Sequence, residues 1–171
     1  MEERNRFRIS SNYRSERILT SEIPKQMEIR EMNLPPNQVP TARGKWPVVG
    51  EKSPRQSDEP WTLSVGEQRT WSLEDLLQFP QVELIVDIHC VTRWSKFGAR
   101  FTGVPLRDLL SQCEVGDAQF ISFVSRSERN HSTSLPLKVA LELGALIAFR
   151  FEDEPLEEIH GGPIRVIVPG R

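Results

Sequence analysis

The chain has only two cysteines among its 171 residues, Cys90 and Cys113, and they make no Cys-x-x-Cys pair. Two cysteines exclude a disulfide framework. A single bridge between them stays open, but free thiols in a reducing compartment fit better. Long apolar runs are also missing. The first twenty residues, MEERNRFRISSNYRSERILT, contain no apolar signal core and no twin-arginine signal, and no stretch is long enough to span a bilayer. The chain therefore reads as soluble and cytoplasmic, with no transmembrane segment. It has no excess of one charge sign either: the formal net charge is -2, which argues against nucleic acid as a partner. Nor does it carry a P-loop, a Gly-x-Ser-x-Gly elbow or a His-Glu-x-x-His helix.

What is present is enough for one domain with a core, although 37% apolar and 27% charged residues make it slightly polar. Residues 1–40 alternate charges with isolated apolar residues and read as a flexible arm, either poorly ordered or docking on a partner or on a cofactor edge. Residues 41–60 are rich in Pro, Gly and Ser and read as a long extended loop, which Trp46 and Val48-Val49 would pin to the core. The domain proper, 41–171, is organised from Trp61 onward. Strands are expected at 61–66, 81–90, 119–124, 145–151 and 163–168. A short helix follows Ser72, with Asp75 completing a capping box. A turn is expected from Phe101 to Gly103, then a helix opened by Pro105. Residues 125–134 read as a polar loop. Ser134 and Pro136 open a third helix, which Gly144 ends. Short helices among about six strands, without Gly-rich phosphate turns, point to an α+β fold of mixed sheets and not to a doubly wound one.

Three places carry chemistry. Cys90 ends an apolar strand, a rigid mount for a ligand, with Arg93, Lys96 and Arg100 following it. Nearby cations favour the thiolate, a soft donor for a transition metal. A buried structural cysteine is the plain alternative. In the second place, His160-Gly161-Gly162-Pro163-Ile164-Arg165, two glycines let the backbone approach an anion. Arg165 offers a guanidinium fork and His160 a ring N–H. An ordinary Gly-Gly turn is the alternative here. The third is the loop 125–134 with Arg126, Arg129 and His131, which suits either an anionic pocket or a solvated surface. A zinc site from His89, Cys90, Cys113, His131 and His160 lacks finger-like spacing, and a Cys-His hydrolase pair has no further support.

VDIHCVTRWSKFGARFTGVPLRDLL (86–110) and STSLPLKVALELGALIAFRFEDEPLEEIHGGPIRVIVPG (132–170) resemble, in that order, the molybdopterin-binding oxidoreductase domain of the sulfite oxidase superfamily. KWPVVGEKSP and WTLSVGE resemble its opening loop and first strand, so the likeness covers about 34–171. It is strongest to bacterial members. The resemblance implies mixed sheets and short helices around one Mo-molybdopterin, with Cys90 at the position of the metal-binding cysteine. His160-Gly161-Gly162-Pro163-Ile164-Arg165 is similar to an Asn-Gly-x-Pro-x-Arg segment that binds the pterin in a bacterial methionine sulfoxide reductase subunit, with His160 in place of Asn. Ser125 lies near a cofactor-binding Thr of that subunit, and His89 is implied as a cofactor neighbour. Arg93 is the candidate for the basic residue that attracts an oxyanion. The implied activity is oxygen-atom transfer on a small oxyanion or sulfoxide, with electrons passing to or from an external carrier. In the family a Tyr/Lys/Ser-rich segment and a further strand follow the point matching Arg171. The resemblance therefore also implies a C-terminally truncated domain, and with it a second reading as a non-catalytic remnant that binds cofactor weakly or not at all.

Overall fold

The computed structural model describes residues 34–42, 45–48, 60–126 and 131–170. The expected arm, residues 1–33 of it, lies outside the described residues. The compact unit begins at Leu34, earlier than the sequence boundary near 40.

Strands β1 (Val39–Pro40), β2 (Thr62–Val65) and β3 (Arg69–Ser72) come first. Helix α1 (Leu73–Leu77) follows, then β4 (Val82–His89), β5 (Trp94–Pro105) and α2 (Leu106–Leu110). The chain continues through β6 (Phe120–Val124), β7 (Ser132–Pro136), α3 (Leu137–Glu142), β8 (Leu146–Phe151), β9 (Glu154–Pro155) and β10 (Arg165–Ile167). The fold is α+β with mixed sheets, as expected. One six-stranded sheet holds β1, β4, β5, β8, β9 and β10, and two hairpins, β2–β3 and β6–β7, stand as separate two-stranded sheets.

The twelve-residue β5 is the spine. It pairs in parallel with β1 at its start, and antiparallel with β4 along most of its length and with β8 at its end. The sequence suggests a turn running from Phe101 into Gly103-Val104-Pro105, because glycine and proline close together commonly mark one. The strand instead runs through to Pro105. Gly103 is there for packing: a Cβ on it would lie 2.1 Å from the Ile147 carbonyl oxygen on β8. Likewise Ser134 lies in the middle of β7 and Pro136 ends it, and α3 starts one residue later. The expected loop 125–134 thus contains the first half of a strand, whose polar, exposed Ser-Thr-Ser run carries no period-two signal.

The helix-start reading at Ser72 holds. Its Oγ accepts from the Asp75 N–H at 3.1 Å, and the Asp75 carboxylate accepts from the Ser72 N–H at 2.9 Å. Gly144 follows α3 at φ 71, the left-handed turn that stops it. Two apolar clusters form the core. One gathers Leu76, Val104, Leu109 and Ile147 under the helices; the other gathers Ala99, Phe101, Leu146 and Ala148 along the spine. Phe101 is fully buried, which stabilises the spine by about 2–3 kcal/mol. A site mounted at either end of β5 therefore sits on a rigid support.

Candidate cofactor site

Cys90 leads the turn that joins β4 to β5. Its carbonyl accepts from the Arg93 N–H at 3.0 Å, and its own N–H donates to the Trp94 carbonyl at 2.9 Å. Arg93 closes the turn at φ 70, a left-handed conformation unusual for a side-chain-bearing residue. Cys90 is half-buried and its thiol is free; its Sγ lies 3.1 Å from the Thr92 hydroxyl. The Arg93 guanidinium makes no hydrogen bond or ion pair among the described residues, so it is available to a ligand.

The turn is held from a side the sequence did not point to. Gln38 donates from Nε2 to the Cys90 carbonyl at 3.0 Å, and accepts at Oε1 from the Ser95 hydroxyl at 3.2 Å. Ser95 is fully buried, and its Oγ lies 2.8 Å from Nδ1 of His89. Backbone bonds from Val39 N–H to the Arg93 carbonyl and from Thr41 N–H to the Ser95 carbonyl, 2.9 and 2.8 Å long, tie the same segment down. Gln38 sits in the stretch expected to be an arm. Nothing in its neighbouring residues marks it, because its partners lie 52 and 57 positions away.

The second cluster is built on Trp46. The His160 ring stacks on the indole with centroids 4.1 Å apart and planes 7° apart, and the Arg165 guanidinium lies 5.3 Å from the indole centre. Trp46 itself packs on Phe101 and Phe151, so it is pinned to the core as expected; Val48 is exposed, and Val49 lies outside the described residues. Arg165 donates to the His160 carbonyl at 2.9 Å, which fixes its fork beside the imidazole. Burial lowers the pKa of His160 below its usual value; Glu157 opposes this and Arg165 adds to it. Its ring nitrogens make no hydrogen bond among the described residues. Burial also lowers the pKa of Arg165, which remains a cation at any working pH.

The two glycines differ. Gly161 takes φ 92, and a Cβ there would meet only the Arg165 side chain at ordinary contact distance, 3.8 Å, so its need is conformational. Gly162 is tight against the chain: a Cβ there would lie 1.9 Å from the Leu156 carbonyl oxygen. That packing accounts for the residue without any ligand.

Lys96 links the two clusters. It follows Ser95 on β5, is nearly buried, and sets its ammonium 5.2 Å from the centre of the Phe151 ring on which Trp46 packs. Arg100 is different: Glu83, Glu152 and Asp153 surround it, so its charge is spent locally. The sequence had grouped Arg93, Lys96 and Arg100 around Cys90; only Arg93 shares the Cys90 turn.

Ser125 is apart from both clusters in the chain's connectivity, at the end of β6, where its N–H donates to the His131 carbonyl at 2.8 Å. Next to it, the Arg126 guanidinium reaches the carbonyls of Pro60 and Thr62 and the Thr62 hydroxyl at 3.1–3.4 Å. Arg126 thus fastens the β6–β7 hairpin to β2. Arg129 lies outside the described residues. No group of three or more His, Cys, Asp or Glu side chains gathers to hold a metal among the described residues, so the imagined zinc set is not assembled. No helix there is long and apolar enough to cross a membrane.

Comparison with known proteins bears on this arrangement. Residues 51–171 match the oxidoreductase molybdopterin binding domain family. The chain is 32% identical over 143 residues to the uncharacterized oxidoreductase YuiH of Bacillus subtilis, covering 80% of this chain and 70% of that protein. It is 30% identical over 129 residues to the catalytic subunit MsrP of a protein-methionine-sulfoxide reductase from Ralstonia nicotianae, covering 64% of this chain and 39% of that one. Human mitochondrial sulfite oxidase is 27% identical over 188 residues, and the match spans only 33% of its length. The sulfane dehydrogenase SoxCD of Paracoccus pantotrophus shares the fold at a TM-score of 0.54 and 17% identity, over 88% of this chain and 52% of that one. Family match, relatives and fold agree with the motif order read from the sequence: the chain belongs to the oxidoreductase molybdopterin-binding domain family, within the sulfite oxidase superfamily.

Proposed function

We propose that this chain is the molybdenum domain of an oxidoreductase that exchanges an oxygen atom with a small oxyanion or sulfoxide, and that Cys90 supplies the protein's ligand to the metal. The observation that carries the reading is the state of Cys90: a free, half-buried thiol on a turn held through its own N–H and carbonyl. A thiolate in a fixed orientation is the donor a soft transition metal takes. The residues also fit the pterin. His160 and Arg165 give a polar and cationic face against Trp46, and the indole N–H of Trp94, which leaves the Cys90 turn, is buried with no acceptor among the described residues. When bound, a molybdenum–pterin supplies two-electron oxygen-atom chemistry.

The chain's own residues then have distinct tasks. Cys90 fixes the metal end of the site. His160 and Arg165 hold the pterin and its phosphate, the fork of Arg165 being preset by its bond to the His160 carbonyl. Gly161 makes the left-handed bend that sets His160 beside Arg165; its own N–H and that of Gly162 are donated to the Glu158 and Glu157 carbonyls. His89 and Ser125 are assigned as further cofactor neighbours. Arg93, exposed and unpaired among the described residues beside Cys90, attracts the oxyanion. The substrate class follows two relatives, a sulfite oxidase and a protein-methionine-sulfoxide reductase. An external electron carrier is required as partner. Two free cysteines suit a reducing compartment, and a cytoplasmic site of action is part of the proposal.

The test is metal and pterin content after expression with molybdenum cofactor available. The expected result is near one of each per chain, a cysteine sulfur in the molybdenum X-ray absorption spectrum, and its loss together with turnover in Cys90→Ser. Cys113→Ser should change none of these. Turnover retained by Cys90→Ser would sink the ligand assignment, and a metal-free, pterin-free chain would favour the non-catalytic reading.

A further inference from the structure

The hydrogen bonds around Cys90 fix more than the turn; they also fix where the proton sits on His89. The chain of donors starts at Gln38. The Cys90 carbonyl can only accept, so the Gln38 group 3.0 Å from it is the amide nitrogen. That places the amide oxygen of Gln38 toward Ser95, 3.2 Å away, and this oxygen too can only accept. The single proton of the Ser95 hydroxyl is therefore committed to Gln38. Nδ1 of His89, 2.8 Å from that same hydroxyl oxygen, has one way left to bond with it, which is to donate. Neutral imidazole carries a single N–H, so Nε2 is left as an acceptor. Nε2 has no partner among the described residues, and His89, which directly precedes Cys90 in the chain, is exposed.

We propose that Gln38 and Ser95 are positioning residues that hold His89 in its Nδ1–H form, so that Nε2 accepts a hydrogen bond from an N–H of the pterin. The part naming the pterin rests on the proposed function above; the tautomer does not. The positioning segment, residues 34–41, lies before the region matched by the family, so this is a contribution of the chain's own flanking sequence to the site. A heterocycle rich in amide and amino N–H groups is the ligand class that an uncharged acceptor selects. A bare oxyanion would be repelled by the same lone pair.

The protein has three histidines, so the assignment by nitrogen-15 NMR is direct: the His89 signals are those lost in His89→Gln. At a pH of about 8.5, where imidazole is neutral, the wild-type apo-protein should show a protonated Nδ1 and an unprotonated Nε2 at His89. Ser95→Ala, and independently Gln38→Ala if the buried serine proves necessary for folding, should shift His89 toward the Nε2–H form. A wild-type His89 protonated on Nε2 overturns the tautomer and leaves the Cys90 assignment standing.

The ligand half is read from pterin retained on the loaded protein after dilution. His89→Asn removes the acceptor from the Nε2 position and should speed pterin loss about three- to tenfold. His89→Gln returns an amide oxygen to that position and should recover much of the difference. Equal retention by wild type and His89→Asn overturns the acceptor role. Pterin absent even from the wild type overturns the cofactor reading, whatever the NMR shows.

Discussion

Replacing Gly162 with alanine separates two explanations of the Gly-Gly pair. From sequence, both glycines could exist to bring backbone close to an anion. In the structure a Cβ at 162 would sit 1.9 Å from the Leu156 oxygen and under 3 Å from two carbonyl carbons, those of Leu156 and Glu157. All three are backbone atoms, so no side chain can rotate away. The turn at 158–162 would have to move by roughly 1 Å, which also strains the Gly162 N–H bond to the Glu157 carbonyl. Overpacking of this kind costs about 3 kcal/mol, a large part of a domain's stability. Gly161→Ala meets nothing within 4 Å of its Cβ except the Arg165 side chain, and costs only the left-handed backbone, about 1–2 kcal/mol. With a urea slope near 2 kcal/mol/M, the midpoints should fall by about 1.5 M for Gly162→Ala and about 0.5–1 M for Gly161→Ala. The assay is equilibrium urea unfolding of the apo-protein, followed by tryptophan fluorescence. A Gly162→Ala protein as stable as wild type, yet unable to retain pterin, would refute the packing argument and restore the ligand explanation.

Three further outcomes follow from the geometry. Arg93→Gly should leave the apo-protein as stable or raise its stability by up to about 1 kcal/mol, because glycine accepts φ 70 freely. It should also raise KM for an oxyanion substrate; an unchanged KM would remove Arg93 from the substrate path. Arg126→Ala should destabilise by about 1 kcal/mol through its lost bonds to Pro60 and Thr62, with KM unmoved, and the reverse pattern would return Arg126 to a substrate role. His160, whose pKa is lowered by burial, stays neutral in the fold at pH values where the unfolded chain already takes a proton. Its contribution is therefore complete above about pH 6.5 and is lost as the pH falls from there through the folded value. Thermal unfolding should drop more steeply between pH 7.5 and 5.5 in wild type than in His160→Gln, and parallel curves would contradict this.

Much of the architecture was legible in local pattern. The Ser72 capping box, the strand leading to Cys90 and the buried run Leu146–Phe149 each carry their signal within a few residues. The misread elements had their causes elsewhere in the chain. Gly103 resembles a turn residue, but the reason for it is the carbonyl of Ile147 on a neighbouring strand. β7 opens on Ser-Thr-Ser, with no apolar alternation to mark it, and exists because β6 lies beside it. Arg126 looked like an anion receptor in a polar loop, and its partners are more than sixty positions upstream.

The site divides in the same way. Residue types and motif order were sufficient to nominate Cys90, His160 and Arg165, because a soft donor at a strand end and a fork after a Gly-Gly bend are local properties. The sequence could not show that Gln38 grips the Cys90 turn, or that Ser95 dictates the His89 proton. Nor could it show that Trp46 and Lys96 bridge the Cys90 and His160 clusters through Phe151. Those are contacts between segments brought together only when β1, β5 and β8 pair. Hydrogen-bond direction depends on which atoms end up adjacent, and tertiary structure alone decides that.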